Sequence, residues 1–108
     1  MANHFYAYIS RMRCVKRWAL MRNTEEENIQ EHSHMVAVLA HALALIRTRV
    51  YGIPTDANAV AVAALYHDAT EILTGDMPTP IKYYNPEIRD AYRKVEAVAS
   101  DKLLSMLP

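Results

Sequence analysis

The sequence has little cysteine, little glycine and no long apolar run. Cys14 is the single cysteine among the 108 residues, which excludes an internal disulfide and favours a reducing compartment. The chain has two glycines and no segment rich in glycine and serine, so we expect no flexible linker. The longest apolar run, residues 35–46, is interrupted by His41 and is too short to span a bilayer. We therefore expect a cytoplasmic protein that has no membrane partner.

An excess of charge of one sign is also missing. Twelve lysines and arginines balance twelve aspartates and glutamates, so the chain lacks the basic surface that grips the phosphates of long nucleic acids. We expect no polymeric nucleic acid as a partner, although a small anionic ligand is compatible with this charge. The composition, 52% hydrophobic and 22% charged, is typical of one compact globular domain.

The apolar residues recur at spacings of three and four, and strand-like alternation is absent. This pattern predicts an all-α fold with about four main helices, roughly residues 5–18, 28–51, 55–73 and 87–107. Asn28 and Asn85 are suited to cap the second and the fourth of them, and the third starts near Thr55 or Asp56, after Pro54. The third helix is apolar almost all round, which predicts a central position. The predicted buried stripes of the second and fourth helices are His32, Met35, Val36, Leu39, Leu43, Ile46 and Val50, and Ile88, Ala91, Tyr92, Val95, Val98, Ala99, Leu103 and Met106.

The stretch LYHDATEILTGDMPTP, residues 65–80, places polar groups in an otherwise apolar segment. An ionised carboxylate is costly to bury without a partner, a proton or a cation. Residues three and four apart share a helical face, so we expect His67 and Asp68 to point towards the side from which Glu71 projects. A divalent cation would offset the cost of burying Asp68, and imidazole with carboxylate suits zinc, manganese, iron or cobalt.

A third ligand is expected from another histidine. His32 lies on the predicted buried side of the second helix, whereas His34 is rotated from it by ~200° at ~100° per residue. His34 and His41 are separated by ~10 Å along the helix axis, so one ion would not bind both. Taken singly, each polar residue has an ordinary structural interpretation, such as a solvated Glu71.

Four segments together resemble the bacterial 5′-deoxynucleotidases of the HD-domain phosphohydrolase superfamily. They are RW at 17–18, EHS at 31–33, YHDATE at 66–71 and TGDMPTPIKYYN at 74–85, and the similarity extends over essentially the whole chain. The resemblance implies an HD-domain-like helical bundle. It also implies hydrolysis of deoxyribonucleoside 5′-monophosphates to deoxyribonucleoside and phosphate, with one divalent cation such as cobalt, manganese or zinc.

The resemblance also implies a role for particular residues. The metal ligands would be His32, His67 and Asp68, and the catalytic residues Glu71 and Asp76, with the acid and the base unassigned. The substrate contacts would be Arg17, Trp18, Asp68, Asp76, Met77, Pro78 and Thr79.

Proteins of this family are about twice as long and close the metal site with an aspartate from a later helix. Neither Asp90 nor Asp101 lies in a matching context. We therefore expect residues 1–108 to be the N-terminal part of a single HD domain and to be inactive alone. The apolar face left exposed would favour self-association, most simply as a dimer.

Two other classes of function stay open at this point. The chain could be a non-catalytic module that binds a metal or a nucleotide, or a helical interaction domain whose polar residues are structural. The sequence leaves the base preference and the physiological metal open.

Overall fold

The computed structural model describes residues 3–18, 25–77 and 79–108. Its α-helices are α1 (Phe5–Ile9), α2 (Ile29–Arg49), α3 (Ala57–Tyr66), α4 (Glu71–Thr74), α5 (Thr79–Lys82) and α6 (Pro86–Leu104). A 3-10 helix, Ser10–Cys14, follows α1 directly. These residues include no strand, and Lys16 and Asn28 form an isolated antiparallel bridge. The predicted all-α class is confirmed.

The contacts within the chain divide it into two compact units. The first consists of Met1–Ile29 and Ala69–Pro108, and the second consists of Gln30–Asp68. Helices α1, α4, α5 and α6 belong to the first unit, while α3 and nearly all of α2 belong to the second. In the described part of the chain, no helix has both the length and the apolar composition needed to cross a membrane.

The first unit has its core where α1 meets the end of α6. Phe5, Ala69, Leu103 and Met106 are buried together, and Leu73 packs against them. The amide of Phe5 donates to the carbonyl of Met106 at 3.2 Å, which joins α1 to the segment that follows α6. Each large apolar side chain buried in this way contributes about 1.5–3 kcal/mol.

The first predicted helix is shorter than the periodicity of its apolar residues indicates. Beyond Cys14 the backbone becomes extended at Val15, with φ −97° and ψ 112°. The carbonyl of Val15 accepts from the Ile29 amide at 2.9 Å, and the Arg17 amide donates to the Glu27 carbonyl at 2.7 Å. The prediction of a helix to residue 18 was wrong because these backbone groups pair with residues 27–29.

The ends of the other long helices follow their capping residues. The Asp56 side chain accepts from the Ala59 amide at 3.0 Å, and the Asn85 side chain accepts from the Ile88 amide at 2.8 Å. Helix α2 begins directly after Asn28, and Gly52 lies just beyond its end with φ +67°. A left-handed φ is inexpensive for glycine, which explains why the helix stops there.

The third predicted helix ends at Tyr66 rather than near Leu73. The His67 amide donates to the Ala64 carbonyl at 3.4 Å, and the His67 Nδ1 lies 2.6 Å from the same oxygen. In a continuous α-helix that oxygen would accept from the amide of Asp68. Residues 67–70 therefore form a turn, and a separate helix, α4, follows it.

The apolar stripes of the second unit are less buried than predicted. Its buried residues are Ser33, Ala37, Ala44 and Ala64. The exposed large apolar residues of α2 and α3 are Met35, Val38, Leu39, Leu43, Ile46, Val60, Val62, Leu65 and Tyr66. The prediction that α3 is central was therefore wrong, because periodicity identifies an apolar face and not what covers it. Val95 and Val98 of α6 are exposed for the same reason.

Replacing Leu103 by alanine should lower the free energy of unfolding by about 2–5 kcal/mol, because the change leaves a cavity in the core. Leu103 is 3% exposed, whereas its neighbour Leu104 is 57% exposed. Leu104→Ala is the matched control and should change stability by less than about 0.5 kcal/mol. Urea unfolding followed by circular dichroism measures both variants. Equal losses would contradict the assignment of Leu103 to the core.

Candidate metal centre and substrate residues

Three of the side chains singled out by the sequence converge in the second unit. His32, His67 and Asp68 each offer one ligand atom, and these atoms all lie within 4.8 Å of one another. The Oδ2 atom of Asp68 is 3.0 Å from His67 Nε2 and 3.5 Å from His32 Nε2. The centres of the two imidazole rings are 5.4 Å apart. The group contains neither His34 nor His41, in agreement with the sequence analysis.

The local fold explains how these side chains meet. His32 lies in the first turns of α2, while His67 and Asp68 open the turn that follows α3. Adjacent helical residues diverge by ~100° around the axis, yet a carboxylate and a long imidazole can still reach a common point. All three side chains are partly exposed, at 23% for His32 and Asp68 and 36% for His67. A solvent-borne ion could therefore reach them.

The hydrogen bond of His67 fixes which of its nitrogens faces the aspartate. A carbonyl oxygen only accepts hydrogen bonds, so Nδ1 at 2.6 Å from the Ala64 oxygen carries a proton. In neutral imidazole the other nitrogen, Nε2, is then a lone-pair acceptor. It lies 3.0 Å from a carboxylate oxygen, which also only accepts. Two acceptor atoms at this distance repel each other, and a cation held by both would make the contact favourable.

The donor set fits a divalent transition-metal ion. Two imidazole nitrogens and one carboxylate oxygen suit zinc, manganese, iron or cobalt. A centre with three protein ligands retains coordination positions for water or substrate, as catalytic sites do. The bond from Nδ1 to a backbone carbonyl is the usual way in which a protein orients a metal-binding histidine.

Glu71 does not share a helical face with His67 and Asp68. Helix α3 ends at Tyr66, and Glu71 is the first residue of α4. The sequence argument for a common face was therefore wrong, because it assumed a continuous helix through residues 67–70. Glu71 is half-buried and belongs to the first unit. Its catalytic role stays a prediction.

Arg17 and Trp18 are held by two carboxylates within the first unit. Arg17 Nη1 donates to Glu27 Oε2 at 2.8 Å, and the Arg17 amide donates to the Glu27 carbonyl at 2.7 Å. The Trp18 amide donates to Asp76 Oδ2 at 2.9 Å. The guanidinium carbon of Arg17 lies 5.6 Å from the centre of the Trp18 ring. The pair thus has a defined arrangement, which the sequence analysis did not predict.

Glu27 is the residue that the sequence analysis missed. Two basic residues at 16 and 17 and the acidic residues at 25–27 are a signal of charge pairing. Lys16 pairs with Glu26 at 3.3 Å, as Arg17 pairs with Glu27. These charges do not indicate which basic residue pairs with which acidic residue, because several pairings are possible.

The remaining predicted substrate residues lie in and after the segment that follows α4. Asp76 and Met77 are half-buried, and Asp76 bonds to Trp18 rather than to the turn at Gly75. Thr79 is the first residue of α5. Pro78 lies outside the described residues.

The fold and the site define a class: an all-α protein in which two histidines and one aspartate form a candidate centre for a divalent cation. The chain belongs to the 5′-deoxynucleotidase YfbR-like family, whose profile matches residues 4–108. This confirms the family that the sequence motifs indicated. Membership implies a divalent metal, and His32, His67 and Asp68 are the residues suited to hold it.

Curated relatives extend well beyond the matched region. The chain is 57% identical over 106 residues to a 5′-deoxynucleotidase of Vibrio vulnificus, covering 98% of this chain and 55% of that protein. It is 52% identical over 106 residues to 5′-deoxynucleotidases of Photorhabdus laumondii and Yersinia pestis, covering 98% of this chain and 54% of each relative. The chain thus spans about half the length of the curated relatives it matches.

Removing one imidazole should weaken cation binding. We expect His67→Ala to lower the affinity for cobalt(II) by at least about tenfold, since even outer-shell changes have effects of that size. His34→Ala is the matched control, because His34 is an exposed histidine of α2 outside the group. Calorimetric titration with cobalt(II) measures both. Unchanged affinity in His67→Ala would exclude this imidazole as a ligand.

The ion pair between Arg17 and Glu27 should contribute measurably to the free energy of unfolding. Glu27→Ala should lower the free energy of unfolding by about 1 kcal/mol, because a partly buried guanidinium loses its partner. Glu26→Ala is the matched control, and its exposed pair with Lys16 should contribute less than about 0.5 kcal/mol. Urea midpoints measure the difference. A larger loss for Glu26→Ala would reverse the assignment.

Proposed function

We propose that this chain carries much of the site of a metal-dependent 5′-deoxynucleotidase. The reaction is hydrolysis of deoxyribonucleoside 5′-monophosphates to deoxyribonucleoside and phosphate. The observation that supports it is the convergence of His32, His67 and Asp68 in a member of this family. The relatives that are 52% and 57% identical carry the same activity in their names.

His32, His67 and Asp68 would hold the cation. When bound, a divalent ion supplies Lewis acidity that activates water and offsets the charge of a phosphate. The Ala64 carbonyl keeps His67 oriented with Nε2 towards Asp68, so two of the three donors are set before any ion arrives. Preorganisation of this kind lowers the cost of assembling a site. The identity of the ion, whether cobalt, manganese or zinc, is left to experiment.

Arg17 is proposed to bind the phosphate. Phosphoryl transfer depends mainly on positioning and on charge stabilisation, and a guanidinium fork suits two phosphate oxygens. Arginine has five N–H donors, and the bond from Nη1 to Glu27 engages one end of the fork. Glu27 would thus orient Arg17 while other donors address the phosphate.

Trp18 is proposed to contact the sugar. The residue is 41% exposed, so it has surface available for a ligand. An aromatic surface packed on the sugar at C2′ disfavours a hydroxyl there, because the hydroxyl would lose its water without gaining a partner. This would produce a preference for deoxyribose. Met77, Pro78 and Thr79 are proposed to contribute further substrate contacts, on the strength of the family motif alone.

Glu71 and Asp76 are proposed for proton transfer, with the acid and the base unassigned. Asp76 Oδ2 already accepts from the Trp18 amide, so that oxygen has a structural partner. Glu71 is half-buried at the start of α4, where an acidic side chain is stabilised by the helix amino end. Its role would be to orient water or to pass a proton to the leaving group.

The cellular location, the oligomeric state and the domain organisation also stay proposals. A cytoplasmic location, a dimer formed through exposed apolar residues, and residues 1–108 as the N-terminal part of a single HD domain remain predictions. The second candidate function is a module that binds a metal or a nucleotide without turnover. It is favoured by the three-residue donor group, which can hold an ion weakly without supporting catalysis.

A chimera tests the enzymatic proposal directly. This chain would replace the matching segment of the Vibrio vulnificus relative, and phosphate release would be measured with deoxyribo- and ribonucleoside monophosphates and added cobalt or manganese. We expect release from the deoxyribonucleotides, because the remaining half of the relative supplies what this chain does not span. The 108-residue chain alone should release little phosphate.

The matched variants of the chimera are His67→Ala and His34→Ala. The first should lose at least about a hundredfold in kcat/KM, because positioning and charge stabilisation supply most of phosphoryl-transfer catalysis. The second should retain activity, and circular dichroism checks that both fold. A chimera that binds nucleotide but releases no phosphate would favour the non-catalytic module. Full turnover by the 108-residue chain would contradict its expected inactivity.

A further inference from the structure

Tyr92 is a buried tyrosine of α6 that contacts the last residue of each of the two short helices before it. The residue is 7% exposed. Its hydroxyl lies 3.5 Å from the hydroxyl of Thr74, where α4 ends. The ammonium of Lys82, where α5 ends, lies above its ring at 4.8 Å from the ring centre. One side chain thus contacts two points that lie on either side of residues 75–81.

The contact with Thr74 is the weaker of the two. The Thr74 hydroxyl lies 3.0 Å from the carbonyl oxygen of Gly75, which only accepts, so the hydroxyl donates its single proton there. Its lone pairs then accept from the Tyr92 hydroxyl. At 3.5 Å this second bond is longer than most hydrogen bonds between hydroxyl groups. We therefore expect the ring of Tyr92 to contribute more than its hydroxyl.

Helix α5 depends on contacts with other elements for its position. A helix of four residues is far too short to be stable by itself. Pro80 and Ile81 are exposed, whereas Lys82 is half-buried above the Tyr92 ring. The negative face of an aromatic ring attracts an ammonium group, and the attraction is stronger where water is partly excluded. Lys82 therefore fastens α5 to α6.

The segment between the two contacts turns out of α4 and leads into α5. Gly75 has a φ of +75°, which is inexpensive for glycine, and its amide donates to the Glu71 carbonyl at 2.7 Å. Beyond α5, the Tyr84 amide donates to the Ile81 carbonyl at 3.2 Å. The residues proposed above as further substrate contacts, 77–79, lie between these bonds. Their position therefore depends on where α4 and α5 are held.

We propose that Tyr92 is a positioning residue, whose ring holds Lys82 and α5 and thereby keeps residues 77–79 in place to bind the nucleotide. The second half of this statement rests on the function proposed above. Tyr92 acts through Lys82 and needs no contact with the substrate. Loss of the ring would release α5 and raise the KM for the nucleotide. The candidate metal ligands belong to the other unit, so kcat should change little.

Hydrogen exchange measures the first half on the 108-residue protein, without metal or substrate. Mass spectrometry follows the amides of residues 75–84, among them those of Gly75 and Tyr84, which donate hydrogen bonds. Tyr92→Leu should speed their exchange by about fivefold, the factor that one partly desolvated cation–π contact represents. Tyr92→Phe keeps the ring and should exchange as slowly as the unchanged protein. Lys82→Met keeps an apolar chain without the charge and should behave like Tyr92→Leu.

Tyr6→Leu and Lys94→Met are the matched controls. Tyr6 is a 59% exposed tyrosine and Lys94 an exposed lysine, and both lie in the same unit as Tyr92. Neither change should alter exchange in residues 75–84, and slow exchange within α6 verifies that each variant is folded. If Tyr92→Leu does not fold, Lys82→Met decides. Unchanged exchange of residues 75–84 in Lys82→Met, or exchange in Tyr92→Phe as fast as in Tyr92→Leu, would overturn the role of the ring.

The second half is tested in the chimera with deoxyribonucleoside 5′-monophosphates. Tyr92→Leu and Lys82→Met should each raise KM by about fivefold and change kcat by less than about twofold, while Tyr92→Phe should match the unchanged chimera. The double variant should be no worse than either single variant, because both changes remove the same contact. Effects that multiply to about twenty-five-fold would mean that Lys82 binds the phosphate independently of Tyr92, and would overturn the proposal.

The exchange series and the kinetics distinguish the two ways in which the proposal can fail. A chimera without activity, combined with the expected exchange series, would reject the nucleotidase function and leave Tyr92 as the residue that anchors α5. An active chimera whose KM is indifferent to Tyr92→Leu and Lys82→Met would reject the positioning role alone.

Discussion

The bond between the His67 imidazole and the carbonyl oxygen of Ala64 determines the structure around the candidate metal centre. At 2.6 Å it occupies the oxygen that would otherwise continue helix α3. Helix α3 ends at Tyr66, and the next two residues begin a turn. With Nδ1 donating to the Ala64 carbonyl, Nε2 presents its lone pair towards Asp68, an arrangement that suits a shared cation. One contact thus links the local backbone to the chemistry of the centre.

Carboxylates have a second function in the other unit, where they organise groups that are proposed to meet the nucleotide. Glu27 pairs with the guanidinium of Arg17, and Asp76 accepts from the backbone amide of Trp18. Neither carboxylate has to take part in the reaction to influence how these two residues meet the nucleotide. A side chain that is already held in one orientation loses less conformational entropy on ligand binding than a mobile side chain does. Two adjacent residues with different proposed tasks are fixed by this means, and each is fixed by a partner far away in the sequence.

The exposed apolar residues show that a periodic sequence pattern is not enough to predict which side chains are buried. The stripes on α2 and α6 lie at the helical period, yet the buried members of the second unit are mainly alanines, while Leu43 is 65% exposed. Periodicity records that one face of a helix is apolar, and it carries no information on the surface that covers this face. The chain spans about half the length of its curated relatives, and the described residues cover only part of these faces.

The sequence by itself determined the all-α class, the Asn85 cap of the last helix, the family and the convergence of His32, His67 and Asp68. Caps and periodicity act over a few neighbouring residues, so they can be recognised without coordinates, and the motifs carry the family. The tertiary structure decided where α3 ends, that Glu71 begins a separate helix, and that Glu27 and Asp76 hold Arg17 and Trp18. These features depend on hydrogen bonds that compete with the helix or join residues as far apart as 58 positions. Such contacts depend on the path of the whole chain, which local sequence propensity does not predict.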